Sequence, residues 1–441
     1  MDLTDKLAAF VVDVTFADFP EEVIQKAKEC FLDSLGSTIA GSQVQASRLA
    51  AEFAYNMFGS GKSLILGTAL RVSPIGAAWA NGASNMALDI DDFHRGATGH
   101  PGAVIFPPAL AFAQSQMEVS GKKFLEAVIT AYEIGLRIAM SRRKGKRFSF
   151  STGSWGAFAS AIAAGKVLNL DKRQMAEALR ITTAHHPLPP VRKSYRRLGM
   201  VKEATGWASM TGSSAAVLAK QGFSGMESVL DDPEYHAASA FRDLGKNYEL
   251  RKVGFKIYPT CRWNHTVLDA VFDLRRKCKI EPGEIKEVII KTFSKANQMI
   301  NTSPESIEDA QYALPFLISL ALFHGKIDLT CFSENHIKNA EDTKVLELAS
   351  KVRLELDPYF ESAFPRQWKS SVEIITNEGR FQSSSDMPRG DYETPLSLQE
   401  LEGKFRDLAK TYLKPEDASS MIDLVLTLEK QENCDWCDTL A

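Results

Sequence analysis

Cysteine is scarce in this chain of 441 residues. The six present (Cys30, Cys261, Cys278, Cys331, Cys434 and Cys437) are scattered, which excludes a disulfide framework and fits a reducing compartment. The close pair in "CDWC" at 434–437 has no second CxxC or CxxH to complete a zinc site, and the cysteine set of an iron–sulfur cluster is missing. A surplus of charge is missing too. Lys and Arg number 52 against 55 Asp and Glu, a net of −3, which gives no global pull toward nucleic acid or a membrane surface. No stretch reaches the roughly 18 apolar residues of a membrane span. The opening "MDLTDKLAAFVVDV" has Asp2 and Asp5 where a signal peptide carries basic residues. The expectation is a cytoplasmic protein without nucleic-acid or membrane partners. No internal repeat or low-complexity tract is visible.

What is present is globular: 44% hydrophobic and 24% charged residues, in a length that asks for more than one core. In "EEVIQKAKECFLDSLGSTIAG", Ile24, Ala27, Phe31, Leu35 and Ile39 follow helical spacing between Pro20 and Gly41. Similar patterns predict helices over 103–118, 121–141, 154–168, 171–184 and 205–221. Several are rich in Ala and Gly, which lets helix axes approach closely and suits a bundle with a buried dimer face. Near residue 250 the texture changes. "KVGFKIYP" and "IKEVIIKTFS" read as strands, and "SSVEIITNEGRFQSS" as a hairpin turning at Asn377-Glu378-Gly379. Helices are predicted near 265–279, 307–323 and 334–343. Helix returns at "SLQELEGKFRDLAK", where Ser397 and Glu400 have capping-box spacing. The predicted fold is mainly α with an inserted α+β domain. Residues 1–251 and 392–441 form the helical part, and 252–391 the insertion.

Three clusters could carry chemistry. "ALDIDDFHRGATGHPGAV" gathers Asp89, Asp91, Asp92, His94, Arg95, Thr98 and His100. A solvated corner accounts for any single aspartate there, but the density with two histidines points to a site. Pro101 suits the first turn of a helix, whose free N–H groups would offer an anion pocket beside His100. A metal site is the first alternative, and Arg95 argues against a divalent cation and for an anionic substrate. The second cluster is basic. "SRRKGKRFSFSTGSWG" and "RKSYRRLGMVKEATGWAS" hold five Lys and Arg each, most of them explained as solvated helix ends. Lys202 differs, because it enters a close-packed stretch and must snorkel or meet an anion. In the third, "FKIYPTCRWNHTVLDAV", Lys256, Tyr258, Cys261, Arg262 and His265 come together. Arg262 has the shape to grip a carboxylate with two hydrogen bonds. Cys261 lacks the surroundings of a nucleophile and reads as a packed small residue.

Seven ordered blocks resemble the 2-methylcitrate dehydratase (MmgE/PrpD) family, which also holds cis-aconitate decarboxylases and iminodisuccinate epimerases. They are "FPEEVIQKAKECFLDSLGSTIAGS", "MALDIDD", "HPGAV", "MVKEATGWAS", "YPTCRWNHTVLDA", "DAQYALPF" and "PRGDYETPLS". The likeness runs through essentially the whole chain. It implies a large helical domain with an α+β lid, a homodimer formed through the helical domain, and an active site between the domains. The family's active-site positions fall on Asp89, His100, Lys202, Lys256 and His265. The chain also departs from the pattern. In "SFSTGSWG", Phe150 or Ser151 stands where the family has a histidine, and Phe316 stands where it has a tyrosine. One residue more than the family pattern separates Asp92 from His100.

These readings combine into an enzyme acting on a small di- or tricarboxylate without metal or cofactor. A proton α to a carboxylate is weakly acidic, so fixed cations must stabilise the developing charge. His100 and Asp89 are assigned as the acid/base pair, with Lys202 and Lys256 stabilising charge. Asp92, Arg95, Thr98, Tyr258, Cys261, Arg262 and His265 are assigned to substrate binding. Loss of water, as from a 2-methylcitrate-like acid, is the first choice. Decarboxylation and epimerisation are the alternatives, and a non-catalytic helical dimer binding a polyanionic metabolite is the rival class.

Overall fold

The computed structural model describes residues 2–116, 118–142, 151–188, 199–234, 238–332, 337 and 343–433. Phe150, Cys434, Cys437 and most of the helix expected at 334–343 lie outside them. The fold is mainly α. The predicted helices stand at Glu21–Gly41, Gly102–Gln116, Gly121–Ser141, Thr152–Val167, Lys172–His185 and Thr205–Lys220. Small residues set their spacing: a Cβ at Gly212 of the last would collide with the carbonyl of Ala157 in Thr152–Val167. Two short ladders in this half were not anticipated. Ser60–Leu64 pairs with Arg71–Val72, and Phe93–His94 with Val253–Gly254.

The second half builds a four-stranded sheet in the order Val352–Leu356, Ile285–Thr292, Ser370–Thr376, Arg380–Ser385. The first pair is parallel and the others antiparallel. At the hairpin turn Thr376 N–H donates to the Gly379 carbonyl at 2.9 Å. The helix His265–Lys277 lies against this sheet, and Val267, Val271, Val288, Ile290, Leu317 and Val372 share one buried core. The helix expected over 307–323 is two pieces, Ile307–Ala310 and Leu314–His324. Between them the Gln311 carbonyl accepts from Cys261 N–H (3.0 Å) and from the Thr260 hydroxyl, and Pro315 opens the second piece. "KVGFKIYP" forms only the two-residue strand Val253–Gly254, because the next N–H, that of Phe255, turns to the Gly390 carbonyl at 2.8 Å.

The chain then returns to the helical body. Ser397 and Glu400 form the capping box of Leu398–Ala409. Leu401, Phe405, Met421 and Val425 join the core that holds Phe31, Leu35 and Phe124. Among the described residues no helix is long and apolar enough to cross a membrane.

Candidate active site

The helix Pro74–Met86 opens with Ser73 accepting from Gly76 N–H and with Pro74 in its first turn. It ends in a corner where Asp89 takes a left-handed backbone (φ 53°), a conformation that Asp tolerates better than most residues. The corner is buried: Asp89, Asp91 and Asp92 are at most 1% exposed. Lys256, itself fully buried, reaches across from the other half. Its ammonium donates to the Asp89 carbonyl at 2.9 Å and ion-pairs with the Asp89 carboxylate. It also lies 3.7 Å from Asp91 Oδ1 and 3.4 Å from His100 Nδ1. Lys202 approaches the other oxygen of Asp89 at 3.8 Å and donates to the Met86 carbonyl (2.9 Å) and to Gln311 Oε1 (2.5 Å). Burial works against the charged form of Asp89, but Lys256, Lys202 and His100 outweigh it and hold the carboxyl well below its usual range.

Asp91, rather than Asp89, orients the imidazole. Its two oxygens lie 3.2 and 3.1 Å from His100 Nδ1, and His100 N–H donates to Thr152 Oγ1 at 3.1 Å. Burial and Lys256 oppose the cation, yet Asp91 and Glu203 raise the His100 pKa above its ordinary value. Nε2, at the other end of the ring, makes no hydrogen bond among the described residues and lies 3.9 Å from Glu203 Oε1. Ligand atoms of Asp89, Asp91 and His100 lie within 4.8 Å of one another, a spacing that suits a metal ion. The Lys256 ammonium touches all three groups. It supplies the positive charge these carboxylates need, and a divalent cation there would face it directly.

Other sequence-assigned residues stand elsewhere. The helix after His100 begins at Gly102, whose N–H donates to Asp92 Oδ1 at 2.8 Å. The anion pocket expected there is therefore capped by the chain's own carboxylate. Tyr132 donates to the second Asp92 oxygen at 2.6 Å, so Asp92 is held within the helical body. Arg95 donates to Glu393 at 2.9 Å and to the Tyr392 oxygen at 2.6 Å. Thr98 is exposed and its hydroxyl turns back to the Arg95 carbonyl. Tyr258 donates to Asp269 at 3.0 Å. Arg262, 5% exposed, donates to His265 Nδ1 (2.8 Å) and the Pro388 carbonyl (3.0 Å), and its guanidinium lies 4.2 Å over the Phe93 ring. His265 accepts through Nδ1, and burial together with Arg262 and Lys256 keeps it neutral. Burial raises the Cys261 thiol, so it is not a thiolate. Phe316 is buried inside Leu314–His324 and offers no hydroxyl.

Three residues near the corner carry no assignment from sequence. Glu203 follows Lys202. Gln311 bridges the halves, donating to the Ala87 carbonyl at 2.9 Å. Lys404, from the last helices, donates to Asp33 (2.5 Å) and to the Ile90 carbonyl (2.7 Å). A cavity of about 1060 Å³ backs the corner and is lined by Val44, Leu88, Ile90, Ile257, Pro259 and Lys404.

A wall of buried carboxylates, lysines and one polarised imidazole, shared by a helical body and an α+β unit, has the makings of an acid–base site. The chain matches the MmgE/PrpD N-terminal domain over residues 5–248 and the MmgE/PrpD C-terminal domain over residues 258–430. It belongs to the MmgE/PrpD family. It is 26% identical to a cis-aconitate decarboxylase of Homo sapiens, an alignment covering 99% of this chain and 94% of that one. Enzymes of the same name from Mus musculus and Aspergillus terreus are each 24% identical. Those alignments cover 98% and 97% of this chain and 92% and 93% of theirs.

Proposed function

We propose that this chain is a cofactor-independent lyase that acts on a small di- or tricarboxylate by proton transfer at a carbon next to a carboxylate. The observation that carries the reading is the buried imidazole of His100, tied by Nδ1 to Asp91 beside the Lys256 ammonium, with Nε2 left free. Lys256 and Lys202 counter the charge that develops on the substrate carboxylate when the neighbouring carbon gains electron density. His100 moves the proton through Nε2. The first reading is dehydration of a 2-methylcitrate-like hydroxy acid. Decarboxylation is the second, favoured by the names of the relatives, which match this chain nearly end to end.

The test is proton NMR in deuterium oxide with 2-methylcitrate, citrate, cis-aconitate and iminodisuccinate as separate substrates. An olefinic product from a hydroxy acid supports dehydration, and carbon dioxide loss from cis-aconitate supports the second reading. No change in any of the four returns the chain to a non-catalytic binder of polyanionic metabolites. We also propose a cytoplasmic homodimer formed through the helical body, where Phe53, Tyr55, Met57 and Trp207 are at least 40% exposed. Sedimentation equilibrium tests it.

A further inference from the structure

Glu203 sits in a turn in which Lys202 (φ 47°) and Ala204 (φ 60°) are both left-handed, so two neighbouring side chains of opposite charge reach the same corner. Its two oxygens have different surroundings. Oε2 accepts from Thr152 N–H at 2.9 Å and from the Thr152 hydroxyl. That hydroxyl accepts from His100 N–H, so its own hydrogen goes to Glu203. An oxygen that receives two donors acts only as an acceptor, so a proton taken up by this side chain goes to Oε1. Oε1 has no hydrogen-bond partner among the described residues, and it lies 3.9 Å from the free Nε2 of His100. This is too long for a hydrogen bond between them, and it leaves both atoms facing one place. The side chain is 23% exposed, so that place is reachable from solvent.

We propose that Glu203 is the base of the reaction, taking the proton through Oε1 while Nε2 of His100 supplies one to the departing group. The assignment rests on the carboxylate-lyase reading above and selects dehydration within it. The C–H bond next to the substrate carboxylate breaks and an O–H bond forms on Oε1. The freed electron pair becomes the carbon–carbon double bond. The C–O bond breaks, and the leaving hydroxide takes the Nε2 proton to depart as water. Glu203 ends neutral, His100 ends as neutral imidazole, and exchange with solvent restores both. Decarboxylation uses His100 alone, because the carbon that loses carbon dioxide only needs to be reprotonated.

The competing explanation is a helix cap. Glu203 covers the start of Thr152–Val167, whose N-cap Ser151 makes no side-chain bond to the first N–H groups of the helix. Its carbonyl also accepts from Gly153 N–H at 3.0 Å and from the Ser151 hydroxyl at 3.2 Å. Glu203→Gln separates the two roles, since the amide oxygen still accepts from Thr152 while the amide takes up no proton. With the hydroxy acid that the wild type dehydrates, E203Q should lose roughly 10²–10⁴-fold in kcat with KM and melting temperature near wild type. Deuterium uptake into recovered substrate should stop. Glu203→Asp keeps the carboxylate and should recover part of the rate, and it serves as the reading if E203Q does not fold. An E203Q enzyme with wild-type kcat and deuterium uptake overturns the proposal and leaves the lyase reading intact. So does a wild type that only releases carbon dioxide from cis-aconitate. A wild type inert to every acid overturns the lyase reading, and this assignment with it.

Discussion

Lys256 and Arg262 leave the same segment, and both are buried cations at the junction of the two halves, yet their surroundings differ in kind. Lys256 crosses to the helical body and meets Asp89, Asp91 and His100, and Asp89 Oδ2 has no hydrogen-bond partner among the described residues. Arg262 hydrogen-bonds within its own half, to His265 and the Pro388 carbonyl, lies against Phe93 of the helical body, and keeps Nε without a hydrogen-bond partner among the described residues. Arg95 repeats the second pattern from the other side, bonded to Glu393 and Tyr392 with Asp391 at 3.7 Å. The junction therefore has two halves, and under the proposed function the Lys256 half is the reactive half. Formal charge does not separate them. What separates Lys256 from Arg262 is the kind of partner, two carboxylates and an imidazole for the first, a neutral imidazole and a backbone carbonyl for the second.

The largest expected effect lies in the reactive half. His100→Ala should cut turnover by roughly 10²–10⁴-fold with little change in melting, and steady-state kinetics on whichever acid the proton NMR screen shows to be turned over would show it. Wild-type turnover would remove the distinction between the halves. Lys256→Met comes next. It leaves Asp89 and Asp91 buried without their ammonium, at a cost of about 3–5 kcal/mol, read from the urea midpoint.

Arg262→Lys should be milder and of another kind. It keeps the charge but loses a fork and a ring contact, for about 1–2 kcal/mol of stability with KM unchanged. A raised KM would show that Arg262 meets the substrate. The smallest effect is a slope. Burial and the charges of Asp33 and Asp91 push Asp92 up to about 7 from an ordinary 3.8. The folded state thus holds this proton more tightly than the unfolded chain does. Its contribution is complete below the ordinary value and is lost as pH rises toward 7. Asp92→Asn still accepts from Gly102 N–H and can donate to Tyr132. Its melting temperature should therefore gain on wild type between pH 5 and 8, and a constant gap across that range would refute the shifted carboxyl.

The helices were legible because their faces repeat and their ends carry Pro, Ser or Gly, as in Glu21–Gly41 and Leu398–Ala409. The aspartate–histidine corner was legible from density alone. Its pairing was not: Asp89 and Asp91 are two positions apart, and a left-handed residue decides which of them meets Lys256 and which meets His100. Glu203 was hidden by the same device, since no periodicity announces a turn with two left-handed residues. Lys404 reads as one more charge on an amphipathic helix, and only its distant partners Asp33 and Ile90 reveal that it is buried. Arg262 shows the reverse, a residue with the chemistry to grip a carboxylate that the fold instead bonds to His265 and the Pro388 carbonyl.

Neighbouring residues of the corner serve two compartments: Leu88, Ile90 and Ile257 line the cavity behind it, whereas Asp89, Asp91 and Lys256 do not. The acid–base groups are thus mounted on a partition whose far side is aliphatic and has room to spare. Changing the size of Leu88, Ile90 or Ile257 inserts a shim behind the partition, shifting the spacing of the charged groups without altering one of them. A library confined to those three positions would show how finely that spacing is set.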